Sequence, residues 1–158
     1  MDEQTLKDAL ARLPGGVVLI ASRDALGFRG VTVTSFAAVS LDPPLVLVSL
    51  NRLAAARDAV LRHGAFNASI LTREQMFLAD RFSGQAPVAA ADWADVPHHA
   101  GSNGLPIVTG AAGWFECTVE AVHPSGDHDV VIAAVVAAER GGGEPLVHWE
   151  RGYWTLDR

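Results

Sequence analysis

Residues 30–36 read Gly30-Val31-Thr32-Val33-Thr34-Ser35-Phe36, an alternation of apolar and hydroxyl side chains. In a strand successive side chains point to opposite faces, so Val31 and Val33 share one face and Thr32 and Thr34 the other. One face suits a core and the other a polar ligand. Working outward, Leu41-Asp42-Pro43-Pro44 breaks this strand, and Leu45 to Leu50 is the next, continuous and apolar. Upstream, Val17 to Ala21 reads as a short buried strand, followed by a turn around Asp24 to Gly27.

Helical spacing is found in three places. Leu6, Ala9, Leu10 and Leu13 fall on one face of a helix from Thr5 to Leu13, which Pro14-Gly15-Gly16 ends. Asn51 is expected to cap a helix from about Leu53 to His63, with Gly64 as its stop. After a strand from Ala65 to Leu71, Thr72-Arg73-Glu74-Gln75 fits a capping box opening a helix to about Phe82. Residues 83–106 lack periodicity, as a lid, binding loop or crossover would. Phe115–Val122, Val130–Ala138, Leu146–Trp149 and a short piece from Tyr153 to Leu156 then read as strands. Six or seven of these strands, with three helices, predict a mainly antiparallel sheet closed into a barrel.

A chain of 158 residues with 49% apolar and 19% charged residues is expected to form one domain, spanning 1–158. Val130–Ala138 is the longest apolar run and is half of what a membrane span needs, so no membrane partner is expected. The mixed-charge N-terminus has no apolar core of a signal peptide. Cys117 is the only cysteine, which excludes a disulfide framework and paired-Cys zinc spacings. A reducing, cytoplasmic setting is the expectation. The net charge of −6 argues against a nucleic-acid partner. Even so, Arg52, Arg57, Arg62, Arg73 and Arg81 cluster in one segment, where a small anion would sit.

The missing motifs narrow the chemistry. There is no GxGxxG, no Walker-type phosphate loop and no GxSxG elbow. The six histidines show no metal-ligand spacing, so no metal site is expected. Two positive features remain. A helix N-terminus near Arg52 and Arg57 suits a phosphate, although surface arginines also serve as solubilisers. Gly126-Asp127-His128 lies at a turn between strands, where Gly and Asp are favoured and the His is unexplained. From residue patterns alone this is an anion-binding β-barrel protein with its function open.

The same features carry a family resemblance. Residues 30–36, then Val39-Ser40-Leu41-Asp42-Pro43-Pro44-Leu45-Val46, resemble the flavin reductase family. This is the short-chain, FMN-binding split-barrel type that supplies reduced flavin to two-component monooxygenases. Gly126-Asp127-His128, Gly64 to Leu71 and Arg81-Phe82 match in order and spacing, and the likeness runs from about Leu10 to Tyr153.

The resemblance implies a six-stranded antiparallel split β-barrel that dimerises. It implies that Thr32, Val33, Thr34 and Ser35 line the isoalloxazine and ribityl chain, with Ser49 and Asn51 following toward the phosphate. Arg81 and Phe82 would close the site. His128 would be the catalytic residue beside the nicotinamide, with Pro14, Asp127 and Tyr153 completing that pocket. At Ala54-Ala55-Ala56 the family usually places Ser and Thr hydroxyls on the flavin phosphate; here backbone N–H groups, Arg52 and Arg57 are left for it. The implied activity is hydride transfer from NADH, with NADPH as the second option, to FMN or FAD. The implied partner is a flavin-dependent monooxygenase. Two other readings stand beside it: an FMN carrier or storage protein without reductase activity, and a flavin-containing oxidase related to pyridoxamine-phosphate oxidases.

Overall fold

The computed structural model describes residues 1–84 and 93–157. Helix α1 (Glu3–Ala11) is followed by strands β1 (Gly15–Gly16), β2 (Val18–Asp24), β3 (Gly27–Val33), β4 (Ala37–Leu41) and β5 (Pro44–Asn51). Helix α2 (Ala55–His63) leads to β6 (Ala65–Ile70), a 3-10 turn (Arg73–Gln75) and α3 (Met76–Arg81). The remainder is β7 (His98–Ala100), β8 (Pro106–Val108), β9 (Gly113–Ser125), β10 (His128–Arg140), β11 (Leu146–Trp149) and β12 (Gly152–Thr155). The main sheet runs β3-β2-β6-β9-β10-β5-β4, antiparallel at every pairing. Strands β1, β11 and β12 form a second sheet, and β7 pairs with β8.

The mainly β architecture agrees with the sequence, but the strand count differs from the expected six. Among the described residues the main sheet has seven strands, with β3 and β4 as its outer members. The extra strand arises because the stretch from 31 to 41 turns a corner at Thr34–Phe36, where neither Gly nor Pro signals a break. Asp42–Pro43, a cis peptide, forms the turn between β4 and β5.

Strand β2 lies between two cores, which explains its unbroken apolar run. Val18 and Ile20 pack with Val48, Leu50, Phe66, Cys117 and Val131, and Val60 of α2 covers this cluster. Val31 and Val33, as their alternation requires, pack against the same cluster. Val17, Leu19 and Ala21 face the other way, onto Leu71, Leu78, Phe82, Trp93 and Leu146. Helix α1 is capped by Asp2, whose carboxylate accepts the Thr5 N–H at 2.8 Å, yet it contributes no buried residue. Its apolar face is open: Leu6 and Leu10 are 42% and 56% exposed, and Leu13, just beyond the helix, is 71% exposed.

Three local expectations change. Asn51 does not cap α2: its side-chain oxygen accepts the Leu53 N–H at 2.9 Å, and the helix opens at Ala54 with no side-chain cap. The Thr72 box forms, with Thr72 N–H donating to the Gln75 side chain at 3.0 Å, but it first opens a 3-10 turn. The stretch 83–106 contains β7 and the start of β8; its residues 85–92 lie outside the described residues.

Candidate active site

The end of β3, the end of β5 and the start of β10 meet around a cavity of about 570 Å³. The register explains the meeting: His128 pairs with Asn51 across β10 and β5, and Val130 pairs with Ser49. Thr32, Val33, Thr34, Ser35, Ser49, Asn51, Ala54 and His128 all line this cavity. Val31, Leu50, Leu53, Ser83 and Gly84 line it too, and sequence reasoning had not named them. The volume lies within the range of roughly 300–1,000 Å³ typical of small-molecule sites.

The polar groups along the wall are partly committed. Thr32 donates its hydroxyl to the Ala79 carbonyl and its N–H to the Phe82 carbonyl, both at 2.8 Å, which fastens β3 to the end of α3. Ser35 donates to the Ser49 carbonyl at 2.8 Å and accepts the Ser49 N–H at 3.2 Å. Beyond Val33, the last paired residue of β3, the N–H groups of Thr34 and Ser35 are outside the ladder. At the far end α2 begins, and the first N–H groups of a helix have no intrahelical partner. A flavin nucleotide suits this donor set: extended backbone beside the ring and ribityl chain, and a helix start for the phosphate.

His128 is oriented by its neighbour. Its Nδ1 lies 2.7 Å from Asp127 Oδ1, and that hydrogen bond holds the Asp127 carboxyl below the usual carboxylate range. Nδ1–H is therefore the donor to the Asp127 carboxylate, and Nε2 is the ring nitrogen left to face a ligand. Asp127 is exposed and does not line the cavity.

A second pocket of about 170 Å³ adjoins the first through the shared residues Thr32, Val33, Thr34 and Ser83. Val17, His148 and Tyr153 complete it, and the His148 and Tyr153 rings meet edge to face at 5.7 Å. Burial, with Asp80 nearby, raises the Tyr153 phenol above its ordinary value. Pro14 lies in neither pocket; it lines grooves shared with Trp149 and Trp154 on one side and with Leu10, Thr34 and His148 on the other.

The other expected residues are placed elsewhere. Phe82 is 2% exposed and packs on Trp93, with ring centroids 4.9 Å apart, so it backs the site from the core. Arg81 grips Asp95 with two nitrogens, at 2.5 and 3.1 Å. Arg57 donates to the buried Asp129 and to Asp58. Arg52 is about half exposed, with its Nε 3.9 Å from Asp129. Ala55 is exposed and Ala56 is buried in the first turn of α2. Among the described residues no group of three His, Cys, Asp or Glu could hold a metal ion, and no helix is long and apolar enough to cross a membrane.

Comparison with known proteins gives a consistent result. Residues 10–157 match the family model described as a flavin reductase like domain. A probable flavin reductase of Rhizobium meliloti is 35% identical over 98% of this chain, which spans about half (49%) of that protein's length. An FMN reductase (NADH), RutF 2, of Methylorubrum extorquens is 37% identical over 96% of this chain and 88% of its own. The reductase component of 4-hydroxyphenylacetate 3-monooxygenase from Thermus thermophilus is 33% identical over 98% and 97%. Among solved structures, the flavin reductase PheA2 superposes with a TM-score of 0.91 at 27% identity, covering 100% of both chains. The Streptomyces globisporus NADH:FAD oxidoreductase SgcE6, in complex with NAD and FAD fragments, gives 0.90 at 25% identity, covering 99% and 93%. With a cavity built from the hydroxyl-rich strand end and the Gly-Asp-His turn, and a family match over nearly its whole length, the chain belongs to the flavin reductase like domain family.

Proposed function

We propose that the chain is an NADH-dependent flavin reductase that forms one domain over residues 1–158 and delivers reduced flavin to a flavin-dependent monooxygenase. The observation that carries this is the union of residues 31–35, Ser49, Leu50, Asn51, Leu53, Ala54 and His128 around one cavity. The names of the relatives support it, since they include NADH-dependent FMN reductases and a monooxygenase reductase component.

Bound in the cavity, the flavin supplies the hydride acceptor. Thr32, Val33, Thr34 and Ser35 hold the ring side, and the N–H groups beyond Val33 stabilise negative charge developing there. Ser49 and Asn51 follow the ribityl chain. Arg52 and the N–H groups of Ala55 and Ala56 take the phosphate, in place of hydroxyls that this chain lacks, while the Ala54 N–H is donated to the Asn51 carbonyl at 3.0 Å and Ala54 lines the wall. The adjoining pocket with Tyr153 and His148 extends toward the nicotinamide nucleotide, with Pro14 at its outer edge. His128 positions the carboxamide through a hydrogen bond at Nε2 while Asp127 fixes its ring, and Arg81 and Phe82 hold the wall from behind. The absence of a recognisable 2′-phosphate clamp favours NADH over NADPH. A reductase that draws on NADH and contains a single free thiol fits a cytoplasmic setting.

The assembly is a homodimer in this reading. The open face of α1, with Leu6 and Leu10, and the exposed Leu13, Trp154 and Leu156 support a second copy as its cover. Steady-state NADH oxidation with FMN and then FAD as acceptor tests the activity. Turnover that saturates with both NADH and flavin supports the reductase. Flavin binding without turnover supports a carrier.

A further inference from the structure

We propose that Arg57 and Asp129 form a positioning pair for the phosphate end of the flavin, fixing the start of α2, and Arg52 with it, against the turn that carries His128. The inference rests on the reading of the cavity as the flavin site. Arg57 lies three residues after Ala54, in the first turn of α2. Its Nε–H donates to Asp129 Oδ2 at 2.6 Å, Nη2 reaches the same oxygen at 2.5 Å, and Nη1 donates to Asp58 at 2.8 Å. Asp129 is the residue after His128, sits opposite Leu50 of β5, and is 1% exposed.

The ordinary means of fixing a helix start is absent here. Asp2 caps α1 through its side chain, whereas Ala54 has no side chain with which to cap α2. What joins α2 to the Gly-Asp-His turn is the Arg52 N–H, donated to the Asp127 carbonyl at 3.0 Å, together with the Arg57–Asp129 pair. A buried ion pair is a poor source of stability, because desolvation offsets its attraction and apolar replacements are often neutral or better. A guanidinium fork does, however, impose direction. The second Asp129 oxygen is buried without a hydrogen bond and lies 3.9 Å from Arg52 Nε. With Arg57 engaged by two carboxylates, Arg52 is left to turn toward a phosphate.

The test is the double variant R57M/D129L, which exchanges the ion pair for apolar side chains, with R57K beside it. FMN and riboflavin, which lacks the phosphate, are titrated by flavin fluorescence, and thermal unfolding is measured in parallel. The double variant is expected to unfold no earlier than the wild type. Its FMN Kd is expected to rise about tenfold while riboflavin affinity holds within about twofold. R57K, which keeps the charge without the fork, is expected to fold and to lose about threefold on FMN alone. A folded double variant with unchanged FMN affinity, or with equal losses for both ligands, overturns the proposal. If the double variant does not fold, unchanged FMN affinity in R57K overturns it. A wild-type protein that binds neither flavin overturns the underlying site reading, which the wild-type titration shows separately.

Discussion

The Ser35 hydroxyl is bonded twice to the main chain of Ser49, donating to its carbonyl at 2.8 Å and accepting its N–H at 3.2 Å. Ser35 lies in the corner between β3 and β4, two residues before the β4–β5 pairing begins at Ala37 and Leu47, so its side chain holds the corner to β5 where the backbone ladder has not yet started. Both residues line the large cavity, and the link therefore sets the width of its wall. Ser35→Ala is expected to lower stability by about 1–2 kcal/mol, because it leaves two partly buried main-chain groups without a partner. Flavin affinity falls with it. Urea unfolding and an FMN titration of the same variant check both.

His128 faces the cavity while its other ring nitrogen is held by Asp127. His128→Ala is expected to raise KM for NADH about tenfold and leave FMN affinity within about twofold. Asp127→Asn keeps the shape but removes the charge that selects the ring's tautomer, and is expected to give a smaller rise in the same KM. Steady-state kinetics paired with flavin titration separates the effects. Loss of flavin binding with a normal nicotinamide KM contradicts the assignment.

Gly30 sits where β3 passes over the aromatic pair that supports it. A Cβ there would lie 2.8 Å from the Phe82 ring and 2.9 Å from Trp93. Both rings are packed in the core, so Gly30→Ala is expected to cost about 1–3 kcal/mol through overpacking. Differential scanning calorimetry measures the loss, with Gly16→Ala, where nothing stands within 4 Å, as the neutral control.

Cys117 is fully buried, and burial with Glu116 alongside pushes its thiol from an ordinary 9.0 up to about 12. The folded chain thus favours the neutral thiol. The stabilisation this gives is complete below pH 9 and is lost as pH rises toward 12, on the order of 1 kcal/mol by pH 10. Between pH 8 and pH 10 the wild type is expected to lose more stability than Cys117→Ala. A thiol reagent at pH 8 is expected to react only after denaturation.

Much of the scaffold was legible because its strands are bounded by strong breakers. Leu146–Trp149 was read residue for residue, and Leu45–Leu50 falls within β5 between Pro44 and Asn51. The corner that separates β3 from β4 was not, since Thr34, Ser35 and Phe36 fit an extended strand and only the tertiary fold bends them. Asn51 misled for a similar reason: its side chain turns back onto Leu53, two residues ahead of the helix. At the site, the hydroxyl strand and the Gly-Asp-His turn were visible as sequence, and the register of β10 on β5 brings them together. The Arg57–Asp129 contact joins positions 72 residues apart, and nothing in spacing announces it.

The most direct test of the central claim is anaerobic mixing of the protein and FMN with NADH, following loss of the oxidised flavin's visible absorbance. The account predicts bleaching far faster than in a protein-free control, and markedly slower in His128→Ala at subsaturating NADH. Bleaching no faster than the control with either NADH or NADPH, by a protein that still binds FMN, contradicts it.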